Sequence, residues 1–204
     1  MKTRRSSVTW FVVLFALLYG ASPITAVTTP GVETPAGAEA ARVFNAWLEA
    51  RKEFDFKKVR SLESDQFVFV EMHGTRKPQN DDRLRDIIQW EAAIHTRWSG
   101  HPLSFRGDEL KVALTETSDM STILGIGSVV RYWTMRIQNG KLVETRVNRV
   151  HCSGKDENEV FQQFAQWVSK QSPERQSGVL RDGQLIFDGE SARRELILLQ
   201  DWPR

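Results

Sequence analysis

The sequence has too little of several things to belong to some familiar classes. It holds one cysteine, Cys152, so no intramolecular disulfide can staple it. Its 28 basic and 26 acidic residues leave a net charge of only +2, which argues against an acidic solvating tail and against the basic stripe of a nucleic-acid binder. Hydrophobic residues reach 40%, too many for a disordered chain. His73, His95, His101 and His151 are scattered, and no H-E-x-x-H or other close ligand spacing occurs, so no metal is expected. No P-loop or G-x-S-x-G is present, and Gly125-Ile126-Gly127 lacks the third glycine of a dinucleotide motif. No cofactor is therefore expected.

Long apolar runs are almost missing too. The exception is Trp10 to Ala21, preceded by Lys2, Arg4 and Arg5 and followed by small residues up to Ala26. That is the three-part layout of a secretory signal peptide, residues 1–26. A run of about 12 residues falls short of the ~20 that span a bilayer. The expectation is export to the periplasm or the medium, with no stable membrane span after cleavage. An uncleaved membrane anchor is the alternative. With the signal gone, 28 basic residues become 25 against 26 acidic ones, and the mature chain is nearly neutral.

What the chain does have is seven Trp and eleven Phe. Residues 27–37, rich in Thr, Pro and Gly, read as a linker. From Ala38 the pattern turns helical, with Ala40, Phe44, Trp47 and Leu48 on one face and Glu49, Arg51 and Lys52 on the other. Asp55 caps a short second helix. Gln66 to Met72 reads as a strand, and Gly74 to Asn80 as a loop. A third helix runs from Asp81 or Asp82 to about Trp98. Strands follow at Ser104 to Thr117, Ser121 to Gln138 and Lys141 to Cys152. Asn139-Gly140 is a type I′ hairpin turn that sets Ile137 opposite Leu142, Thr134 opposite Thr145 and Tyr132 opposite Val147. A helix over Glu157 to Gln171, an Asp182-Gly183 hairpin and a helix from Ser191 to Trp202 complete the chain. The order predicts an α+β fold, with helices on one face of a curved antiparallel sheet. The domain is expected at 38–172, with 173–204 as a C-terminal extension.

Ala41 to Phe56 (ARVFNAWLEARKEFDF), Leu84 to Glu91 and the hairpin Arg136 to Thr145 (RIQNGKLVET) give the chain a resemblance to the nuclear transport factor 2-like superfamily, SnoaL-like group. The resemblance implies a cone-shaped sheet wrapped around N-terminal helices, leaving an apolar pocket. Members include isomerases, cyclases and dehydratases, and also non-catalytic binding modules, so fold alone does not decide function. The positions where such enzymes carry their acid and base hold Met72, Thr145 and Val147 here. None of the three moves a proton at neutral pH, which points away from catalysis.

The expected function is a small-molecule-binding or interaction module, a homodimer through the sheet, with a pocket lined by Trp47, Phe69, Trp98, Tyr132, Thr145, Arg149 and His151. The alternative is an acid–base enzyme on a small apolar substrate. It would use Glu91 and His95, four residues apart on one helical face. A third possibility has residues 173–204 docking on a partner.

Overall fold

The computed structural model describes residues 29–203. The expected signal segment, residues 1–26, and with it the question of cleavage, lies outside them. The first helix, α1 (Pro35–Lys52), starts three residues earlier than the periodicity suggested. Thr34 accepts a hydrogen bond from the Gly37 N–H, and Pro35 sits where its missing N–H costs nothing. Asp55 caps α2 (Phe56–Leu62) as expected. The chain passes directly into β1 (Glu63–Val70), and the expected polar loop contains a short edge strand, β2 (Arg76–Pro78). Gly74, at φ 85, makes the reversal, and Pro78 is tolerated because an edge strand can spare a donor.

The third helix, α3 (Asp81–Ala93), is capped by Asn80 and ends five residues short of Trp98. His95 turns the chain over at φ 52, which no helix accommodates. Trp98 therefore belongs to β3 (Arg97–Arg106), which a Gly107-Asp108 turn joins to β4 (Glu109–Thr117). The long strand expected from Ser121 does not begin there. Ser118 and Ser121 form a reciprocal capping box that starts α4 (Asp119–Leu124), and Gly125 ends it in the left-handed conformation. Then come β5 (Val129–Gln138), β6 (Lys141–Cys152), α5 (Glu157–Val168), α6 (Pro173–Gln176), the ribbon β7 (Leu180–Arg181) and β8 (Gln184–Leu185), and α7 (Gly189–Asp201).

The main sheet runs β2-β1-β6-β5-β4-β3, antiparallel except where β1 lies parallel to β6. It is curved and not closed, the α+β cone anticipated from the sequence. Asn139 and Gly140, at φ 51 and 70, make the anticipated turn, and Ile137 does face Leu142. Two bulges then shift the ladder. Met135, not Thr134, faces Thr145, and Tyr132 faces Arg149 instead of Val147. Each bulge adds a residue to β6, so the side-chain alternation flips beyond it. Trp133 and Val147 turn inward. Tyr132, Arg149 and His151 turn outward and are exposed.

Two apolar cores result. One joins α1 to the sheet through Phe44, Trp47, Leu114, Met135 and Leu142. The other gathers Met120, Phe164, Leu198 and Leu199 from α4, α5 and α7, with Ile126 from the turn after α4. Residues 173–203 supply Val179, Ala192, Leu198 and Leu199, a third of the buried members of this second core. Those four side chains are spent inside the molecule, while Phe187 and Ile197 stay exposed.

Glu195 sits in this second core, fully buried, where it accepts a 3.3 Å hydrogen bond from the Trp90 indole. Burial pushes its carboxyl up to about 8, with the Trp90 bond opposing. Such a group favours folding fully below the ordinary carboxyl range, and that benefit is lost as pH rises from about 4.5 to 8. Glu195→Gln, neutral at every pH, is expected to flatten this fall by a few kcal/mol. Urea denaturation of both proteins at pH 5 and pH 8.5 checks it, and an equal pH slope in both would contradict it.

Candidate functional site

A cavity of about 250 Å³ lies between α1, α3 and the inner face of the sheet. Its walls are mainly aromatic: Trp47 of α1, Phe67 and Phe69 of β1, Trp98 of β3 and Trp133 of β5. Trp133 packs against Trp47 and Phe69, with ring centroids 5.9 and 6.0 Å away. Thr145 and Val147 of β6 form the floor between them, while the partly exposed Gln79, Arg83 and Phe187 also line it.

Of the pocket residues expected from sequence, Trp47, Phe69, Trp98 and Thr145 line this cavity. Tyr132, Arg149 and His151 do not: Tyr132 alternates with the inward Trp133 on β5, and the second β6 bulge turns Arg149 and His151 outward. Glu91 lines it and is buried. His95 does not. With its helix ended at Ala93, the His95 side chain is 71% exposed and its Nδ1 lies 2.6 Å from Asp119. No Glu91–His95 dyad exists, and that version of acid–base catalysis falls.

The sequence reading missed the buried charges. Arg51 closes the apolar stripe of α1, four residues after Trp47, and its guanidinium donates to Glu91. It stands 5.4 Å from the Trp47 ring centroid and 5.6 Å from that of Trp98. Glu63, at the start of β1, is buried beside it, and Arg51 acts on its charge. Deeper along the sheet, Arg131 of β5 pairs with Glu116 of β4 at 3.0 Å and Glu157 of α5 at 2.8 Å. Helical spacing was the available signal for Arg51, since Phe44, Trp47, Leu48 and Arg51 share one face. Arg131 likewise alternates with Trp133 and Met135. Nothing comparable marked Glu63.

Burial raises Glu63 to about 7, and Arg51 opposes the shift. Burial does the same to Glu91, again to about 7, against the pull of Arg51. Glu116 is raised by burial too, while Arg131 counteracts. Burial works against the charge on Arg131, but Glu116 and Glu157 outweigh it and hold its pKa up. Several polar atoms in the walls have no hydrogen-bond partner among the described residues: Arg51 Nε, Glu63 Oε2, Glu91 Oε2 and the indole nitrogens of Trp47, Trp98 and Trp133. The Trp47 and Trp98 indoles lie near enough to Glu63 and Glu91 to lower those carboxyls, without forming aligned bonds. An apolar cavity with a few convergent polar groups is the usual anatomy of a small-molecule site. Two carboxyls poised near neutrality could also exchange protons with a bound molecule.

Among the described residues, no group of three His, Cys, Asp or Glu side chains could hold a metal ion. No described helix is long and apolar enough to cross a membrane.

No family model and no curated protein matches the chain. Solved structures do resemble it in shape. One is a candidate ketosteroid isomerase from Kribbella flavida, at TM-score 0.45 and 12% identity over 59% of this chain and 82% of that one. Another is an NTF2-like protein of unknown function from Cytophaga hutchinsonii, at 0.43 and 10% over 60% and 94%. A third is an LEH-like epoxide hydrolase of M. tuberculosis, at 0.43 and 13% over 54% and 81%. The chain is similar to these in overall shape, while the chemistry of its site stands on its own residues.

Proposed function

We propose that this chain is an exported small-molecule-binding protein. The observation that carries the reading is the aromatic cavity, whose walls keep polar atoms free for a ligand. Export is supported by the basic start and short apolar run of residues 1–26. N-terminal sequencing of the exported protein should find its first residue near Val27. A homodimer through the outer sheet face belongs to the same reading. That face carries Glu144, held by Arg76 and Arg146, and Asn148 bonded to Thr134.

Binding is tested by thermal unfolding with a small apolar probe, 2-phenylethanol. Millimolar probe is expected to raise the Tm of the wild type. Val147→Phe fills the cavity, so it should unfold cooperatively and lose the shift. An equal shift in both proteins would place the probe elsewhere.

A second reading has one observation in its favour. Glu63 and Glu91, both held near pH 7, line the same cavity, so a bound substrate could meet a general acid and a general base there. An acid–base enzyme of this kind would use Glu63 in place of His95.

A further inference from the structure

Resting on the binding reading above, we propose that the ligand of this cavity carries a cationic nitrogen, a protonated amine on a small apolar or aromatic body. The charges buried around the cavity do not balance. Arg131 is matched by Glu116 and Glu157. Arg51 is the other buried cation, and it faces two carboxyls, Glu91 of α3 and Glu63 of β1. With all four carboxyls ionised, four negative charges meet two positive ones. Outside this set, Arg60 of α2 and Asp81 of α3 act on Glu63 in opposite directions. Arg83 lines the cavity partly exposed, where water screens it.

Glu63 and Glu91 are only 5% and 4% exposed, line the cavity, and each keeps one oxygen without a partner among the described residues. A buried carboxylate in this state is costly unless a cation or a proton joins it. The walls suit the cation. The Trp47 and Trp98 rings already hold the Arg51 guanidinium at cation–π distance, and Trp133 and Phe69 line the cavity beside them. The unpartnered Trp133 indole and Arg51 Nε leave room for an acceptor oxygen on the same ligand.

At neutral pH the two carboxyls hold protons part of the time, because burial raises both. A ligand cation would take the place of a proton, so binding should release protons. As for size, an apolar cavity of about 150 Å³ takes one benzene ring. About 250 Å³ fits a ring with a short chain.

Calorimetry with three molecules of similar size and different charge tests the inference: phenethylamine, 2-phenylethanol and phenylacetate. At pH 7.5 the amine is expected to bind about tenfold tighter than the alcohol, and the acid weakest of all. Repeating the titration in buffers of different ionisation enthalpy should reveal release of up to about one proton with the amine and none with the alcohol. Glu63→Gln should cost the amine about tenfold in affinity and the alcohol far less. If the alcohol or the acid binds as tightly as the amine, or the amine releases no proton, the cation inference is overturned while the binding reading stands. If none of the three binds the wild type, both are overturned.

Discussion

Removing residues 173–204 is expected to abolish cooperative unfolding of the domain. The segment supplies Val179, Ala192, Leu198 and Leu199 to the second core, all at 5% exposure or less. Burying a Val or Leu side chain is worth about 1.5–3 kcal/mol. The loss of several approaches the ~5–15 kcal/mol that holds a typical domain folded. The damage also reaches the ligand cavity. Trp90 would lose its bond to Glu195 and its edge contact with Phe187, and both Trp90 and Phe187 line the cavity. Near-ultraviolet circular dichroism through a thermal ramp measures the outcome. A broad, non-cooperative trace is expected. A sharp transition in the truncated chain would mean that the first core folds alone and that the segment is free to serve a partner.

Arg51→Met should destabilise the protein in a strongly pH-dependent way. Arg51 is the one cation that offsets both Glu63 and Glu91, and removing it leaves Glu91 without its ion-pair partner and Glu63 with only the more distant Arg60. Breaking a buried pair from one side costs about 3–5 kcal/mol. The sign follows from the raised carboxyls. Both are neutral in folded and unfolded chains at pH below about 4.5, so the loss there is small. Between about 4.5 and 7 the unfolded chain ionises while the folded chain resists, and without Arg51 that resistance extends to still higher pH. Urea denaturation should therefore show a modest deficit at pH 5 and a large one at pH 8. Arg51→Met combined with Glu91→Gln should recover part of the loss at pH 8. A small deficit, equal at both values, would mean that the guanidinium is solvated and the cavity wet.

Local chemistry made much of the fold legible. Asp55 and Asn139-Gly140 act through contacts within a few residues, so the cap and the turn could be read directly. What escaped depends on longer-range pairing or on a single backbone angle. One residue at positive φ, His95, separated Glu91 from its supposed partner and handed Trp98 to a strand. The extra residue that β6 inserts before Arg149 turned Arg149 and His151 out of the site, while unbroken alternation along β5 keeps Arg131 and Trp133 inward and Tyr132 outward. Its charge set Arg51 with Glu49 and Lys52 on the polar face, although it lies four residues after Trp47 and is buried. Charge gave the wrong answer because Glu63 and Glu91, distant in sequence, are buried with it. The site is legible in its aromatic half and not in its ionic half, since apolar spacing is local and charge compensation is not.

The most direct test of the ligand cavity is an amide-region NMR titration that follows each tryptophan indole N–H as 2-phenylethanol or phenethylamine is added. Trp47, Trp98 and Trp133 line the cavity, whereas Trp167 and Trp202 pack against the second core and serve as internal controls. The expected result is a saturable shift of the first three indole signals, largest at Trp133, with Trp167 and Trp202 unmoved. Shifts confined to Trp167 and Trp202, or no shift at any indole, would contradict a ligand site between α1 and the sheet.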